Sequence, residues 1–431
     1  MRSVLVALLV FGSLPMILIK PHVGVLVWSW IGYMNPHRLT WGFAYDFPFA
    51  MVVGAVTIAA WLFSREPKTV PWHPLVLLLA LFAAWVSFTT LFAAFPGEAQ
   101  SKWDRTIKIL LLNGFITLGL ITTRQRLDVL IWVIVVSLGF FALKGAVFTL
   151  LTGGIYRLQG PPGSFIADNN QFGMALLMTL PLVRYLQLTA RSRWVRLGLA
   201  VTIGCFLVAV LGTYSRGAVV ALAVTAVAML VKSRHRMRLA LMAGVALAAA
   251  VQFMPEYWHA RVASIFAYEE DASAQARLQS WSYAVDVARE HPVVGGGFEA
   301  FRGNKASTSA GYRSAHSIYF EMLAEHGYVG LAIFAALGLG AYVSAGAVVR
   351  RARGHRELCW AVDLATMVQV SIAAYAAAGL FLNLATFDLY YHLVAIVVIV
   401  HALVRRSLVP AVSADATARV APFERPSDAR A

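Results

Sequence analysis

The chain has 431 residues, of which 59% are hydrophobic and only 13% charged, with a mean hydropathy of +0.69 and a formal net charge of +15. So few charges cannot keep a soluble domain of this size in water, and the basic excess is scattered over short loops instead of gathered into a nucleic-acid-binding patch. An all-α polytopic membrane protein remains, with its cations marking topology and contact with anionic lipid.

A hydrocarbon core of about 30 Å asks for roughly 20 apolar residues per helix. Suitable stretches lie near 2–19, 45–63, 74–95, 106–121, 128–151, 172–188, 196–212, 214–231, 238–254, 327–349, 360–383 and 388–404, which predicts about twelve spans. Residues 22–34 are a thirteenth candidate, but Pro21 and Pro36 bracket a run too short for a full crossing, which suits a broken or interfacial helix. Residues 1–20 open like a signal peptide yet show no small-x-small cleavage site before Lys20, so they are expected to stay as the first span. The expected organisation is transmembrane helices with short loops over 1–254, a large helical loop domain with the catalytic candidates over 255–326, and further spans over 327–405. The Ala-, Pro- and charge-rich tail 406–431 is expected to be disordered.

The loops at 64–68, 122–126, 184–196, 232–238 and 350–357 are rich in Lys and Arg and poor in acids. The positive-inside rule then makes them cytoplasmic, with both termini, and turns the 255–326 excursion outward. Cys205 falls in a span and Cys359 at a cytoplasmic helix start, so neither a disulfide framework nor a cysteine metal site is expected outside.

The outward loops carry the candidate chemistry. In GGIYRLQGPPGSFIADNNQFG, Arg157, Asn169 and Asn170 accompany Asp168 and Gln171. Amides and a carboxylate suit sugar hydroxyls, and Asp168-Asn169-Asn170 is equally a good N-cap for the next span. In GTYSRGA, Arg216 opens a span directly after a three-residue connector, where it either snorkels to head groups or serves an anion together with its helix's first-turn N–H groups. In QARLQSWSYAVDVAREHP, the stripe Leu278, Trp281, Val285, Ala288 predicts an amphipathic helix stopped by Pro292. Arg277 and Trp281 share one face of it, and Arg277 is either solvated or turned to a site. The Gly-, Ser- and Ala-rich segment from 295 to 315 reads as a mobile lid. His316 stands just before a helical pattern that ends at Gly327, with Glu321 and Glu325 following to orient a ring or a substrate hydroxyl. The chain lacks P-loop, GxGxxG-before-helix, HExxH and DxD motifs, so neither a metal site nor a cofactor is expected. The cytoplasmic loops are too short for a nucleotide-binding fold, and any activated donor must be lipid-borne.

SRGA, RLQSW, HPVVGGGF and AHSIYFEMLAEHGYVGL, in this order and on one side, resemble the O-antigen ligase and polymerase superfamily. GYMNPHRLTWGFAYDFPFA, LKGAVFTLLTGG and GPPGSFIADNNQFG are similar to the subgroup of exosortase-associated O-glycosylation ligases, extending the resemblance over about 20–405. Many members follow the histidine with Asn, where this chain has Ser317. The resemblance implies a GT-C-like, metal-independent, inverting glycosyltransferase of the bacterial inner membrane with its site facing the periplasm. By position, His316 would be the base, and Arg216 and Arg277 would bind the diphosphate of an undecaprenyl-diphosphate-linked glycan. The acceptor would be a lipid A-core sugar, with a protein hydroxyl or another glycan as alternatives. A lipid-linked oligosaccharide flippase is the rival class; against it, the spans are nearly free of midplane ionisable groups and show no internal repeat.

Overall fold

The computed structural model describes residues 1–232, 251–263, 272–303 and 314–408, with Gly244, Ala248 and Ala249. Among these residues the fold is helical, without strands. The first half comprises α1 (Arg2–Ile19), α2 (His22–Met34), α3 (Phe49–Phe63), α4 (Pro74–Thr90), α5 (Pro96–Ile109), α6 (Thr117–Leu120) and α7 (Arg124–Leu151). The second comprises α8 (Asn169–Thr189), α9 (Arg193–Gly212), α10 (Arg216–Lys232), α11 (Glu256–Ala263), α12 (Ala272–Glu290), α13 (Ile318–Ala352), α14 (Cys359–Ala378) and α15 (Asp388–Leu408).

Among the described residues seven helices, α1, α7, α8, α9, α13, α14 and α15, are long and apolar enough to cross a membrane. The sequence pattern predicts about twelve, and the difference has physical causes. The stretch 106–121 is continuous helix only through a π-helical segment, Leu110–Ile116, which joins α5 to α6. Helices α3, α4 and α10 have 15, 17 and 17 residues, about 22–26 Å of rise. Most of 238–254, and the tail from 409 with its expected disorder, lie outside the described residues. Helix α2, the short thirteenth candidate, runs for 13 residues and packs among α1, α3 and α7.

Within the bundle, α8 and α15 bury 78% of their most apolar window and α1 only 22%, so α8, α14 and α15 form the centre and α1 the lipid-facing edge. Helix α14 touches α8, α10, α13 and α15. Two ionisable residues stand in the first turns of α15, away from the midplane that the sequence expectation concerns. The helix's first residue, Asp388, is buried and accepts from Asn113 Nδ2 at 3.0 Å, and its buried His392 has Nδ1 2.6 Å from the Tyr33 hydroxyl. Asn113 belongs to the π-helical segment and accepts in turn from Trp28 Nε1 at 2.7 Å.

Candidate active site

Four segments far apart in the sequence meet at one end of the bundle. The first is the hairpin between α9 and α10. Tyr214 adopts a left-handed φ of 55°, and its hydroxyl donates to the Gly154 carbonyl. Ser215 caps α10, its Oγ accepting the Ala218 N–H at 3.1 Å and donating to Asn170 Oδ1 at 2.7 Å. Arg216 is the first residue of α10. The two small residues after it have packing roles: a Cβ on Gly217 would stand 2.7 Å from Phe381 Cβ, and a Cβ on Gly173 of α8 would stand 2.8 Å from Ala218 Cβ.

The second segment is the N-terminus of α8, laced to that hairpin. Asp168 is its cap, with Oδ1 accepting from both the Asn170 N–H and Asn170 Nδ2 at 2.9 Å. Buried Asn169 donates to the Thr213 carbonyl at 2.9 Å. The two helix N-termini therefore lie side by side, each concentrating partial positive charge. Arg157 is exposed, one residue from Leu158, whose N–H binds the Gly212 carbonyl at 2.8 Å.

The third segment carries His316. Its φ of 46° is left-handed, a conformation that costs a non-glycine residue about 1–2 kcal/mol and persists where neighbours hold it. Anchors flank it on both sides. Trp281 Nε1 on α12 donates to the Ala315 carbonyl at 2.9 Å and its ring stacks on Phe320 at 4.8 Å, while the Ile318 N–H donates to the Gly379 carbonyl at 2.8 Å. Arg277, one turn before Trp281, and Asp168, on α8, both act on the His316 ring. His316 keeps solvent access, yet the surrounding protein is the largest influence and pushes its pKa below 6.5; Arg277 pushes the same way and Asp168 opposes.

The expected stripe of α12 needs one correction. The buried positions are Ser280, Ala284 and Ala288, while Leu278 is exposed. Small side chains let α12 approach α13 closely, with Ala284 packing near Ala324, and a leucine would hold the helices apart.

The fourth segment, 379–387, has no counterpart among the sequence candidates, because its apolar residues read as the end of a span. It is the floor to which the other segments attach. Besides the Gly379 and Phe381 contacts, the Asn383 carbonyl accepts from Gln171 Nε2 at 3.3 Å and the Ala385 N–H donates to Glu321 Oε2 at 3.1 Å.

Glu321 and Glu325 are buried and turned toward α5, where Lys102 Nζ lies 2.8 Å from an oxygen of each. Glu325 Oε1 also accepts the Glu299 N–H at 3.0 Å. In this arrangement the carboxylates tie α5, α13, the 379–387 floor and the 291–303 segment together. That last segment departs from the expected mobile lid. Gly297 (φ 73°) lies so close to α4's end that a Cβ would be 2.4 Å from Ala93 Cα, and the Gly296 N–H binds the Ala324 carbonyl at 2.8 Å. Gly327 (φ 68°, ψ −171°) breaks α13 where Pro292 and Val293 press in, which ends the first helical stretch where the sequence pattern predicts. Residues 304–313, the rest of the lid, lie outside the described residues.

Two family models match the chain. A family of unknown function covers residues 1–191 and the O-antigen ligase family covers 200–335. No curated protein matches. The first region contributes Lys102 and the Asp168–Asn170 cap, and the second contributes Arg216, Arg277, Trp281, His316, Glu321 and Glu325. Residues 200–335 of this membrane protein, the part that carries most of the site, are thus similar to the O-antigen ligase family.

Proposed function

We propose that the chain is an inverting, GT-C-like glycan ligase that transfers a glycan from undecaprenyl diphosphate to an acceptor hydroxyl, a lipid A-core sugar first among the acceptors, at the periplasmic face of the bacterial inner membrane. The observation that carries this reading is the fixed presentation of His316: a strained left-handed residue, anchored on both sides, within electrostatic reach of Arg277 and Asp168.

In the reaction, the acceptor oxygen attacks the anomeric carbon while His316 takes its proton on a neutral ring nitrogen. The bond from that carbon to the diphosphate oxygen breaks on the opposite face, and the leaving group departs with the electron pair. Its growing charge needs fixed cations. Arg216, set at a helix start beside a second helix N-terminus, and Arg277 on α12 are guanidiniums able to bind phosphate oxygens bidentately. Charge neutralisation by these groups leaves no step that requires a divalent ion. Asn169 and Asn170 have most of their polar atoms engaged in holding the hairpin to α8, which favours positioning over sugar binding. Glu321 and Glu325 are likewise held by Lys102 and backbone N–H groups.

The test is transfer by purified protein in nanodiscs from undecaprenyl-diphosphate-linked glycan to lipid A-core, with excess EDTA and with His316→Ala in parallel. Product that survives EDTA and disappears in the variant supports the reading. If folded wild type yields nothing with lipid A-core, protein and glycan acceptors follow; failure with all three, together with carrier movement across the bilayer, would favour a flippase.

A further inference from the structure

A second polar site lies at the other end of the bundle. His316 precedes the start of α13, whereas Val349 and Ala352 near its end line a cavity of about 990 Å³. From the break at Gly327 to Val349 the helix runs uninterrupted, a rise of about 33 Å. The cavity's walls come from the last turns of α8, α10 and α13, the connector 353–356, and the first half of α14. The volume lies at the upper end of the range of small-molecule sites, and a water occupies about 30 Å³, so the cavity is far larger than a hydration defect.

Its lining is cationic. Arg184, Lys232, Arg353 and Arg356 face a single carboxylate, Asp363. Two of the cations are half-buried and held by neighbouring side chains. Lys232 Nζ donates to Oε1 of buried Gln369 at 2.8 Å and lies 5.5 Å from the Tyr342 ring centroid; Gln369 is fixed in turn by donating to the Tyr342 carbonyl at 2.9 Å. Arg184 projects from central helix α8, near enough to Asp363 to be attracted by it. Arg353 and Arg356 are exposed at the rim. Snorkelling accounts for rim cations at helix ends, but does not account for a lysine tied to a buried amide inside a cavity. Leu188, Met229 and Val349 supply apolar wall beside these charges.

A cationic pocket between helix ends with an apolar flank fits an amphiphilic anion. We propose that this cavity binds the phosphodiester headgroup of an anionic glycerophospholipid from the leaflet opposite the His316 face, with the acyl chains lying along the apolar flank. Arg184 and Lys232 hold the phosphate, and Arg353 and Arg356 guide it in. A soluble phosphate ester shares the headgroup chemistry and lacks only the chains. The proposal is independent of the catalytic reading.

Native mass spectrometry of the full chain, released from micelles with phosphatidylglycerol or phosphatidylcholine, tests it. Phosphatidylglycerol should be retained in preference, Arg184→Gln with Lys232→Gln should weaken retention at least tenfold, and Arg353→Gln with Arg356→Gln should weaken it severalfold. Arg191→Gln with Arg193→Gln, two exposed cations at the same end outside the cavity, should retain the lipid like wild type. Equal retention of the two lipids, or equal loss in the control pair, overturns the proposal. Displacement by millimolar glycerol 1-phosphate overturns the lipid assignment in favour of a soluble ester. Should the half-buried pair fail to fold, the rim pair decides, and unchanged retention there counts against the site.

Discussion

A histidine that accepts a proton from a hydroxyl works only while its ring is neutral, so the neighbours of His316 set the acid limit of catalysis. Desolvation by the surrounding protein and the charge of Arg277 hold its pKa below 6.5, and Asp168 opposes them. The rate should therefore persist at pH 6.5 and fall at lower pH, as the ring protonates, whereas sequence alone places the fall at the ordinary imidazole range. Asp168→Asn keeps an amide oxygen to cap α8 and removes the charge that favours protonation. The acid limb of kcat/KM should then move to still lower pH; movement upward would sink the assignment of His316 as base. Arg216→Lys keeps the charge but loses the bidentate fork, and we expect kcat/KM to drop by about 10²-fold, the scale of losing one transition-state donor. Turnover near wild type would remove Arg216 from the diphosphate site. Much at this scale is legible in the chain: an i, i+4 spacing puts Arg277 and Trp281 on one face, and the structure uses Trp281 to hold the residue before His316. The left-handed backbone of His316 is not legible, since no local rule asks a histidine to adopt it.

At the scale of elements, the site depends on close approaches that glycine permits and on one buried ionic cluster. Gly217→Ala places a Cβ 2.7 Å from Phe381 Cβ, so either α10 or the 379–387 floor must shift. Overpacking of this kind costs about 1–3 kcal/mol. Because both elements carry parts of the site, transfer activity should fall far more than the thermal midpoint, and a fully active variant would show that the floor is not needed in this position. Lys102 joins α5 to Glu321 and Glu325, with side chains 16%, 7% and 3% exposed. Lys102→Met leaves two carboxylates buried without their cation, a loss of about 3–5 kcal/mol, and adding Glu321→Gln and Glu325→Gln should recover part of it in a thermal unfolding series. If the triple variant is no more stable than the single one, the cluster is not the source of the loss. In the sequence these carboxylates are available to orient a ring or a substrate hydroxyl, and their pairing with Lys102 is not legible because side-chain pairing across more than 200 residues leaves no periodic trace. The 379–387 floor escaped for a related reason: leucine, phenylalanine and alanine outside a helix look the same as inside one.

The membrane class follows from composition, because a chain with 13% charge has no other way to satisfy both its backbone and its surface. Span boundaries are less accessible, since hydropathy does not register the π-helical segment at 110–116, and α4 and α10, with 17 residues each, stand at the lower limit of length for a crossing. Orientation is a separate physical question, and the two cysteines make it measurable. Cys359 is exposed at the start of α14, beside the cationic cavity, and Cys205 is partly buried in α9. By the positive-inside rule the excess of Lys and Arg in the loops at that end predicts that it faces the cytoplasm. In a Cys205→Ser background, Cys359 should resist a membrane-impermeant maleimide in spheroplasts and react once the membrane is permeabilised. A cysteine placed at Arg157, exposed at the His316 end, in a chain lacking both native cysteines should react without permeabilisation. The reversed pattern would put His316 in the cytoplasm, away from a lipid-linked glycan already carried across the bilayer. It would then remove the ligase reading at its root, whatever the geometry of the site.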